Sequence, residues 1–155
     1  MSPPAHPTQP KSVPVAALLG AAKEAFGAEF DARIKASAMS TLSLAHAHNV
    51  LRHLGNGPLR ASAIVGQCGV TKQAVSQQIA HLQRNGYVRT LPDPDDQRAR
   101  LIELTECGHA AQLLVKQLFA DIEREWTERI GKQQMATLRE ALAVIGADHM
   151  PEGCG

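Results

Sequence analysis

Hydrophobic residues recur every three or four positions over most of the chain, which is the periodicity of amphipathic α-helices. The first such segment covers residues 15–36, and the second covers 40–54 before a turn-forming run of glycine, asparagine and proline. A third follows at 62–68. A fourth starts from Thr71, a candidate N-cap, and stops at the Asn-Gly pair 85–86. The pattern therefore predicts four successive helices.

The period then changes to two residues, as expected for β-strands. Residues 87–91 and 99–104 alternate, and they predict a hairpin connected by the proline- and aspartate-rich loop 92–98. Thr105 is placed to cap a long fifth helix, which Gly131 separates from a sixth. The predicted class is mainly α with one small β-hairpin.

The length of 155 residues is that of one domain, and the composition, 44% hydrophobic and 20% charged, is ordinary for a globular protein. Residues 1–13 hold four prolines and few apolar side chains, so they are predicted to form a disordered arm. A single domain is expected over 14–148, followed by a tail at 149–155. Neither a signal peptide nor a membrane span is predicted, and three widely spaced cysteines favour a reducing cytoplasm.

Two short helices joined by a tight glycine-containing turn and followed by a hairpin constitute a winged helix-turn-helix. The turn is 68–71, where Gly69 can adopt a positive φ. The outer face of the following helix is predicted to carry amides, a hydroxyl and a cation, from Lys72, Gln73, Ser76, Gln77 and, as a further candidate, His81. Such groups suit base edges and phosphates in a DNA major groove. The alternative is a face that meets only water, but such faces usually carry carboxylates as well.

Charge is distributed unevenly along the chain, although its formal net value is only +1. Residues 32–92 contain no Asp or Glu and seven Lys or Arg, whereas residues 103–155 contain nine acidic side chains against five basic ones. This distribution indicates one basic face directed at a polyanion. A chance fluctuation in a near-neutral protein is the alternative.

Linked segments resemble the multiple antibiotic resistance regulator (MarR) family. They are the helix start 71–77, the Gly-Tyr-Val of 86–88, and the two halves of the family's wing signature. D-P-x-D-x-R corresponds to residues 93–98, and L-T-x-x-G to residues 104–108. The resemblance covers residues 15–146, nearly the whole chain.

The resemblance implies a transcriptional regulator, more often a repressor, that binds a pseudo-palindromic site in double-stranded DNA as a homodimer. It implies dimerisation helices at 14–36 and 109–148 and a DNA-binding part at 40–108. Together with the polar helix face, it gives the candidate DNA-binding residues Thr71, Lys72, Gln73, Ser76, Gln77, Arg84, Asp96 and Arg98.

The wing signature gives two of these residues distinct expected roles. Arg98 is expected to enter the minor groove, while Asp96, two residues earlier, holds its guanidinium without touching DNA. Alternatively, the aspartates only form a turn and Arg98 is their structural partner. Within the preceding helix, Gln78 stands where a buried Leu is common, so a small rotation would change the ranking of Gln73, Gln77 and Gln78.

The resemblance also implies a small-molecule effector, for which small aromatic acids are candidates. Four residues, Phe26, Phe30, Met39 and His46, are candidates for lining a pocket between the two parts of the chain, although core packing explains them equally well. No cofactor is predicted. The competing function is a winged-helix module for protein interaction or DNA architecture, without a specific operator.

Other reactive residues give weaker signals. The histidines at 46, 48, 53 and 109 lack the spacing of a metal site, so no metal is predicted. Cys68 is expected in the core and Cys154 in the tail, whereas Cys107, in the first turn of a helix, is the better redox candidate. No nucleophile, phosphate loop or carboxylate pair indicates an enzyme.

Overall fold

A computed structural model describes residues 12–150, as helices packed around one small antiparallel sheet. The elements are α1 Val15–Lys35, α2 Leu44–Asn49, β1 Leu59–Arg60, α3 Ala61–Cys68, α4 Lys72–Arg84, β2 Val88–Asp93, β3 Asp96–Leu104, α5 Glu106–Ile130 and α6 Lys132–Ile145. The predicted class, mainly α with a small hairpin, is confirmed. Residues 1–11 of the predicted arm and 151–155 of the predicted tail lie outside the described residues.

The second predicted helix, 40–54, is wrong in its extent. Helix α2 begins only after Ser43, whose hydroxyl accepts the backbone N–H of His46 while Nδ1 of His46 accepts the backbone N–H of Ser43. This reciprocal capping box fixes the start of the helix. The helix ends at Val50 (φ −125°, ψ −62°), and the chain continues as the 3₁₀ turn Leu51–Leu54. The break lets both Leu51 and Leu54 reach the core.

The helix-turn-helix forms as the local signals predict. Gly69 ends α3 in the left-handed region (φ 63°), and the hydroxyl of Thr71 caps α4 by accepting the backbone N–H of Ala74. Gly86, at φ 78°, allows the chain to turn from α4 into the sheet. These are short-range constraints, which explains why the predicted bounds of α4 are confirmed.

The wing, which is the hairpin of β2 and β3, is longer than the sequence predicts, and its connecting turn is shorter. Strand β3 lies in the centre of the sheet, between β2 and the two-residue strand β1, which the alternation pattern does not reveal. The predicted loop 92–98 is wrong, because β2 and β3 reach into it and only Pro94 and Asp95 connect them. The pairing also jumps from Pro92 opposite Arg100 to Asp93 opposite Asp96, so residues 97–99 bulge.

The L-T-x-x-G half of the wing signature joins the sheet to α5. The hydroxyl of Thr105 accepts the backbone N–H of Gly108 (3.1 Å) and donates to the carbonyl of Gly86 (2.5 Å). A Cβ on Gly108 would stand 2.0 Å from the carbonyl oxygen of Tyr87. Only glycine permits this close approach of the two backbones.

One core connects the end of α1, the winged helix-turn-helix and about two thirds of α5. It includes the fully buried side chains of Phe30, Ile64, Leu82 and Ile122. In contrast, α6 buries no side chain. Large apolar side chains lie exposed on α1 and α6, at Val15, Leu18, Leu19, Leu138, Leu142, Val144 and Ile145. Within residues 12–150, no helix combines the length and apolarity needed to cross a membrane.

Candidate nucleic-acid interface

Helix α4 divides into a buried face and a polar one. Val75, Ile79 and Leu82 are buried, as predicted. The predicted contact residues of the helix and its cap are all exposed, namely Thr71, Lys72, Gln73, Ser76, Gln77 and Arg84. No Asp or Glu occurs in α4, so the polar face offers only cationic and uncharged hydrogen-bonding groups.

The structure brings most of these residues to the first half of α4 and sets Arg84 apart. Arg84 lies on the same side as Gln73 and Gln77 by helical periodicity, but it is in the last turn, roughly 18 Å along the axis from Lys72. Neither Lys72 nor Arg84 has an ion-pair partner among residues 12–150. Both cations are therefore available to an external anion.

His81 belongs to the inner architecture rather than to the outer face. Its imidazole stacks on that of His46 with the ring centres 4.3 Å apart, and its Nε2 lies 2.8 Å from the carbonyl oxygen of Thr41. Burial, together with the neighbouring His81, lowers the pKa of His46 from 6.5 to about 4. The stack thus ties α2 to the back of α4 through a neutral His46.

Gln78 is half-buried, and its side-chain oxygen is enclosed without a hydrogen-bond partner among the described residues. The exposed face is consequently formed by Gln73 and Gln77, and Gln78 points toward the protein. Of the three amides, Gln73 and Gln77 are the accessible ones, and their contact with DNA stays a prediction.

Arg98 projects from the bulged part of the wing. The segment 97–99 has no cross-strand partner on β2, and Arg98 is exposed without a carboxylate at ion-pair distance in the described chain. The expected role of Asp96 is wrong in detail: its carboxylate accepts the backbone N–H of Arg98 (3.0 Å) instead of holding the guanidinium. An i to i+2 bond of this type is the usual geometry of an aspartate turn, which the short spacing favours.

The wing contains an ion pair that the sequence reasoning missed. Both Nε (2.6 Å) and a terminal nitrogen (2.5 Å) of Arg60 contact Oδ2 of Asp93, and Asp93 is 5% exposed. Oδ1 of Asp93 accepts the backbone N–H of Asp95 (2.9 Å). The Asp95 N–H and the Arg60 guanidinium hold the pKa of the Asp93 carboxyl below its ordinary value. The two residues are 33 positions apart, so no local pattern could have joined them.

A cavity of about 570 Å³ lies between the α2 region and α5. Its walls combine apolar and polar side chains, from Ala47, His48, Leu51, Arg52, Asn56, Gln112, Val115, Lys116 and Phe119. None of the four pocket residues suggested by the sequence lines this cavity. Phe30 is fully buried against Phe119, and Phe26 meets Phe119 and Trp126 edge-on. His46 stacks on His81, and Met39 packs against the core. Core packing accounts for them.

Cysteine and metal chemistry have little support within residues 12–150. Cys107 is an exposed free thiol at the start of α5. The side chain of Cys68 and the whole of Cys154 lie outside the described part. No group of three His, Cys, Asp or Glu side chains in the described range could hold a metal ion.

Comparison with known proteins identifies relatives by sequence. The sequence profile of the MarR family matches residues 40–99. The HTH-type transcriptional regulator TcaR of Staphylococcus aureus is 34% identical over 100 residues. That alignment covers 63% of this chain and 66% of TcaR, just under two thirds of the relative's length.

Solved structures share the fold over a larger part of the chain. The reduced form of MarR from E. coli superposes with a TM-score of 0.77 at 20% identity, covering 86% of this chain and 96% of that one. The transcriptional repressor CouR, bound to a 23-mer DNA duplex, gives 0.75 at 22% identity over 92% and 99%. These likenesses show a shared fold, and the family resemblance predicted from the sequence is confirmed by the profile match and the TcaR alignment. The winged helix-turn-helix part of the chain, residues 40–99, therefore belongs to the MarR family.

Proposed function

We propose that this protein regulates transcription by binding a pseudo-palindromic operator in double-stranded DNA as a homodimer, most simply as a repressor. The observation that carries the proposal is the exposed face of α4, which presents Lys72, Gln73, Ser76 and Gln77 and contains no carboxylate. A phosphate backbone repels carboxylates, whereas amides can read base edges bidentately.

The wing supplies a second contact in this proposal. Arg98 stands exposed on the bulge without an ion-pair partner among the described residues, so its guanidinium is available to the negative potential of a narrow minor groove. Asp96 holds the backbone at that point through the N–H of Arg98. Relatives of the same fold support the docking mode, since CouR is bound to a DNA duplex and a mutant of E. coli MarR is complexed with operator DNA.

The exposed apolar side chains of α1 and α6 support a homodimer. Leu18, Leu19, Leu138 and Leu142 are each more than two-fifths exposed, and no side chain of α6 is fully buried among residues 12–150. Two-fold packing of these helices against a second copy removes that surface from water. The two copies of α4, which act as recognition helices, then face successive major grooves about 34 Å apart, which requires a two-fold symmetric operator.

The cavity beside α2 is the proposed effector site. Leu51 and Phe119 give it apolar walls, while Arg52 and Lys116 offer positive charge to a carboxylate. This combination suits a small aromatic acid. Occupancy releases the DNA only to the extent that the ligand binds the DNA-incompetent arrangement of the dimer more tightly.

The test is fluorescence anisotropy with duplex DNA from upstream of the protein's own gene, against unrelated competitor DNA and across a salt series. The wild type is compared with Gln73→Ala and Arg98→Ala. Matched controls are Gln133→Ala and Arg129→Ala. They remove the same chemical groups from exposed positions at the start of α6 and the end of α5.

Nanomolar binding that resists competitor and weakens steeply with salt is expected. Each site variant loses about 1–3 kcal/mol of binding free energy, and each control loses almost nothing. If the upstream fragment fails, selection from random duplexes replaces it. Enrichment of no palindrome would refute the operator proposal and favour a protein-interaction or architectural module.

A further inference from the structure

A side-chain contact between the two edge strands of the sheet anchors the wing of this protein. Strand β1 is at one edge and β2 at the other, with β3 between them. The Arg60 side chain of β1 nevertheless reaches Asp93 at the end of β2 and contacts Oδ2 through two nitrogens. Such a bridge spans two strand spacings, close to ~10 Å in an ordinary sheet. It therefore fixes the edges of the sheet relative to one another.

Asp93 is also the residue that shapes the wing tip. Its second carboxylate oxygen accepts the backbone N–H of Asp95 in the two-residue connection. Opposite it, the register jumps by three residues, and the unpaired segment 97–99 carries Arg98. A bulge redirects the side chain that it carries, so the anchoring of its base determines where that side chain points.

We infer that Arg60 and Asp93 are positioning residues for DNA binding: they clamp the bulged wing to the helix-turn-helix so that the guanidinium of Arg98 is pre-directed toward the minor groove. Arg60 is also the residue immediately before α3, at its N-cap position. The clamp therefore connects the wing directly to the helix pair that presents the recognition helix. This inference depends on the proposed function, because positioning has a role only if Arg98 contacts DNA.

The sign of one substitution separates this role from simple electrostatics. Asp93→Asn removes a negative charge next to a polyanion-binding surface, so charge alone predicts tighter DNA binding. The clamp predicts weaker binding, since a neutral amide no longer holds the Arg60 guanidinium and Arg98 must be ordered on association. Glu103→Gln is the matched control: it removes the same charge from the same sheet, at the Arg89–Glu103 pair.

The experiment measures affinity for the selected operator duplex. It compares the wild type with Asp93→Asn, Glu103→Gln, Arg60→Ala, Arg98→Ala and the double variant Asp93→Asn/Arg98→Ala. Asp93→Asn is expected to raise Kd about tenfold, and Glu103→Gln to leave it unchanged or lower it. In the Asp93→Asn background, Arg98→Ala should cost much less than in the wild type, because the two residues act as one unit.

Backbone ¹⁵N relaxation of the DNA-free protein is the second readout. Residues 94–98 should gain fast motion in Asp93→Asn but not in Glu103→Gln, with both variants still folded by circular dichroism. Tighter or unchanged binding of Asp93→Asn with a rigid wing overturns the inference. So does weakening by Arg60→Ala but not by Asp93→Asn, which would make Arg60 a direct phosphate contact. If the wild type binds no duplex, the proposed function fails, and the relaxation data still decide whether the clamp holds the wing.

Discussion

Apolar side chains are buried in the winged part of the molecule, residues 40–108, but many are exposed on the outer helices α1, α5 and α6. In the winged part, Ile64, Val75 and Leu82 have no exposed surface. On α6, Leu142 is 41% exposed and Ile145 is 71% exposed. The first region completes its core within one chain, whereas the second carries apolar stripes that nothing in residues 12–150 covers. The winged part, with the end of α1 and most of α5, thus forms the core, whereas the exposed stripes are the surface on which the proposed dimer depends.

Charge pairing differs between the outer helices and the surface formed by α4 and the wing bulge. On the outer helices, cations face carboxylates, as in the pairs Arg33–Glu125 and Arg139–Glu123. On the recognition helix and wing bulge, Lys72, Arg84 and Arg98 have no such partner in the described chain. Paired charges close a surface to other ions, and unpaired charges leave it available. The contrast predicts a helix-mediated self-association and a separate polyanion-binding end.

The largest effect is expected from breaking the outer surface. Leu138→Glu combined with Leu142→Glu introduces charge into the apolar face that the proposed dimer buries. Because the dimer is two-fold symmetric, each substitution occurs twice in the interface. We expect dimer stability to fall by about 4 kcal/mol, roughly a thousandfold in Kd. Sedimentation velocity measures the change. Gln133→Glu with Gln134→Glu adds the same charge to exposed positions of α6 as a control; equal dimerisation of both double variants would contradict the assignment of the face.

A smaller effect, on the free energy of unfolding, is expected from a substitution at the tightly packed junction between the sheet and α5. Gly108→Ala places a methyl group against the carbonyl oxygen of Tyr87, which is backbone and cannot rotate away. The free energy of unfolding should fall by about 2–3 kcal/mol, measured by urea denaturation. Gly66→Ala is the control, because open space surrounds that position in α3 and alanine favours a helix. A Gly108→Ala variant as stable as the wild type would show that the two backbones separate easily.

The smallest effect is a pH dependence that originates where α2 meets α4. The pKa of His46 is lowered to about 4, so between pH 6.5 and 4 the unfolded chain binds a proton that the folded chain does not. Stability is then complete above pH 6.5 and declines as the pH falls, by about 2 kcal/mol after allowing for partial exposure of the ring. Burial also lowers the pKa of His48 and His53, in the same direction.

Thermal denaturation at several pH values measures this slope, with His46→Gln as the comparison because glutamine can keep the capping box. The variant should flatten the dependence between pH 4 and 6.5. An NMR titration of the His46 ring near 6.5 in the folded protein would be incompatible with the buried, neutral imidazole.

How well the sequence predicts each region depends on the range of the interactions that form it. The recognition helix is predicted closely, because the Thr71 cap acts over three residues and Gly86 stops the helix locally. Helix α2 is not predicted closely, because its end at Val50 allows Leu51 and Leu54 to be buried in a core formed with other elements. Periodicity records which positions are apolar, but not where a helix must bend to bury them.

The candidate site divides in the same way. The polar face of α4 can be read from helical spacing alone, since Gln73 and Gln77 fall on one side of any regular helix. The role of Asp96 cannot be read from the sequence, because a separation of two residues from Arg98 permits both a backbone and a guanidinium contact. The geometry of the bulge selects the backbone contact. The wing anchor Arg60–Asp93 leaves no sequence signal at all.

The sequence by itself determined the recognition helix α4, the Thr71 and Thr105 caps, the turn glycines and the family signature, because each depends on neighbours within a few residues. Only the tertiary structure decided that Arg60 crosses the sheet to Asp93 and that His81 turns inward onto His46. These outcomes depend on which distant surfaces meet. That is settled by the packing of the whole core, where burying the most apolar surface and satisfying the enclosed polar groups must be achieved together.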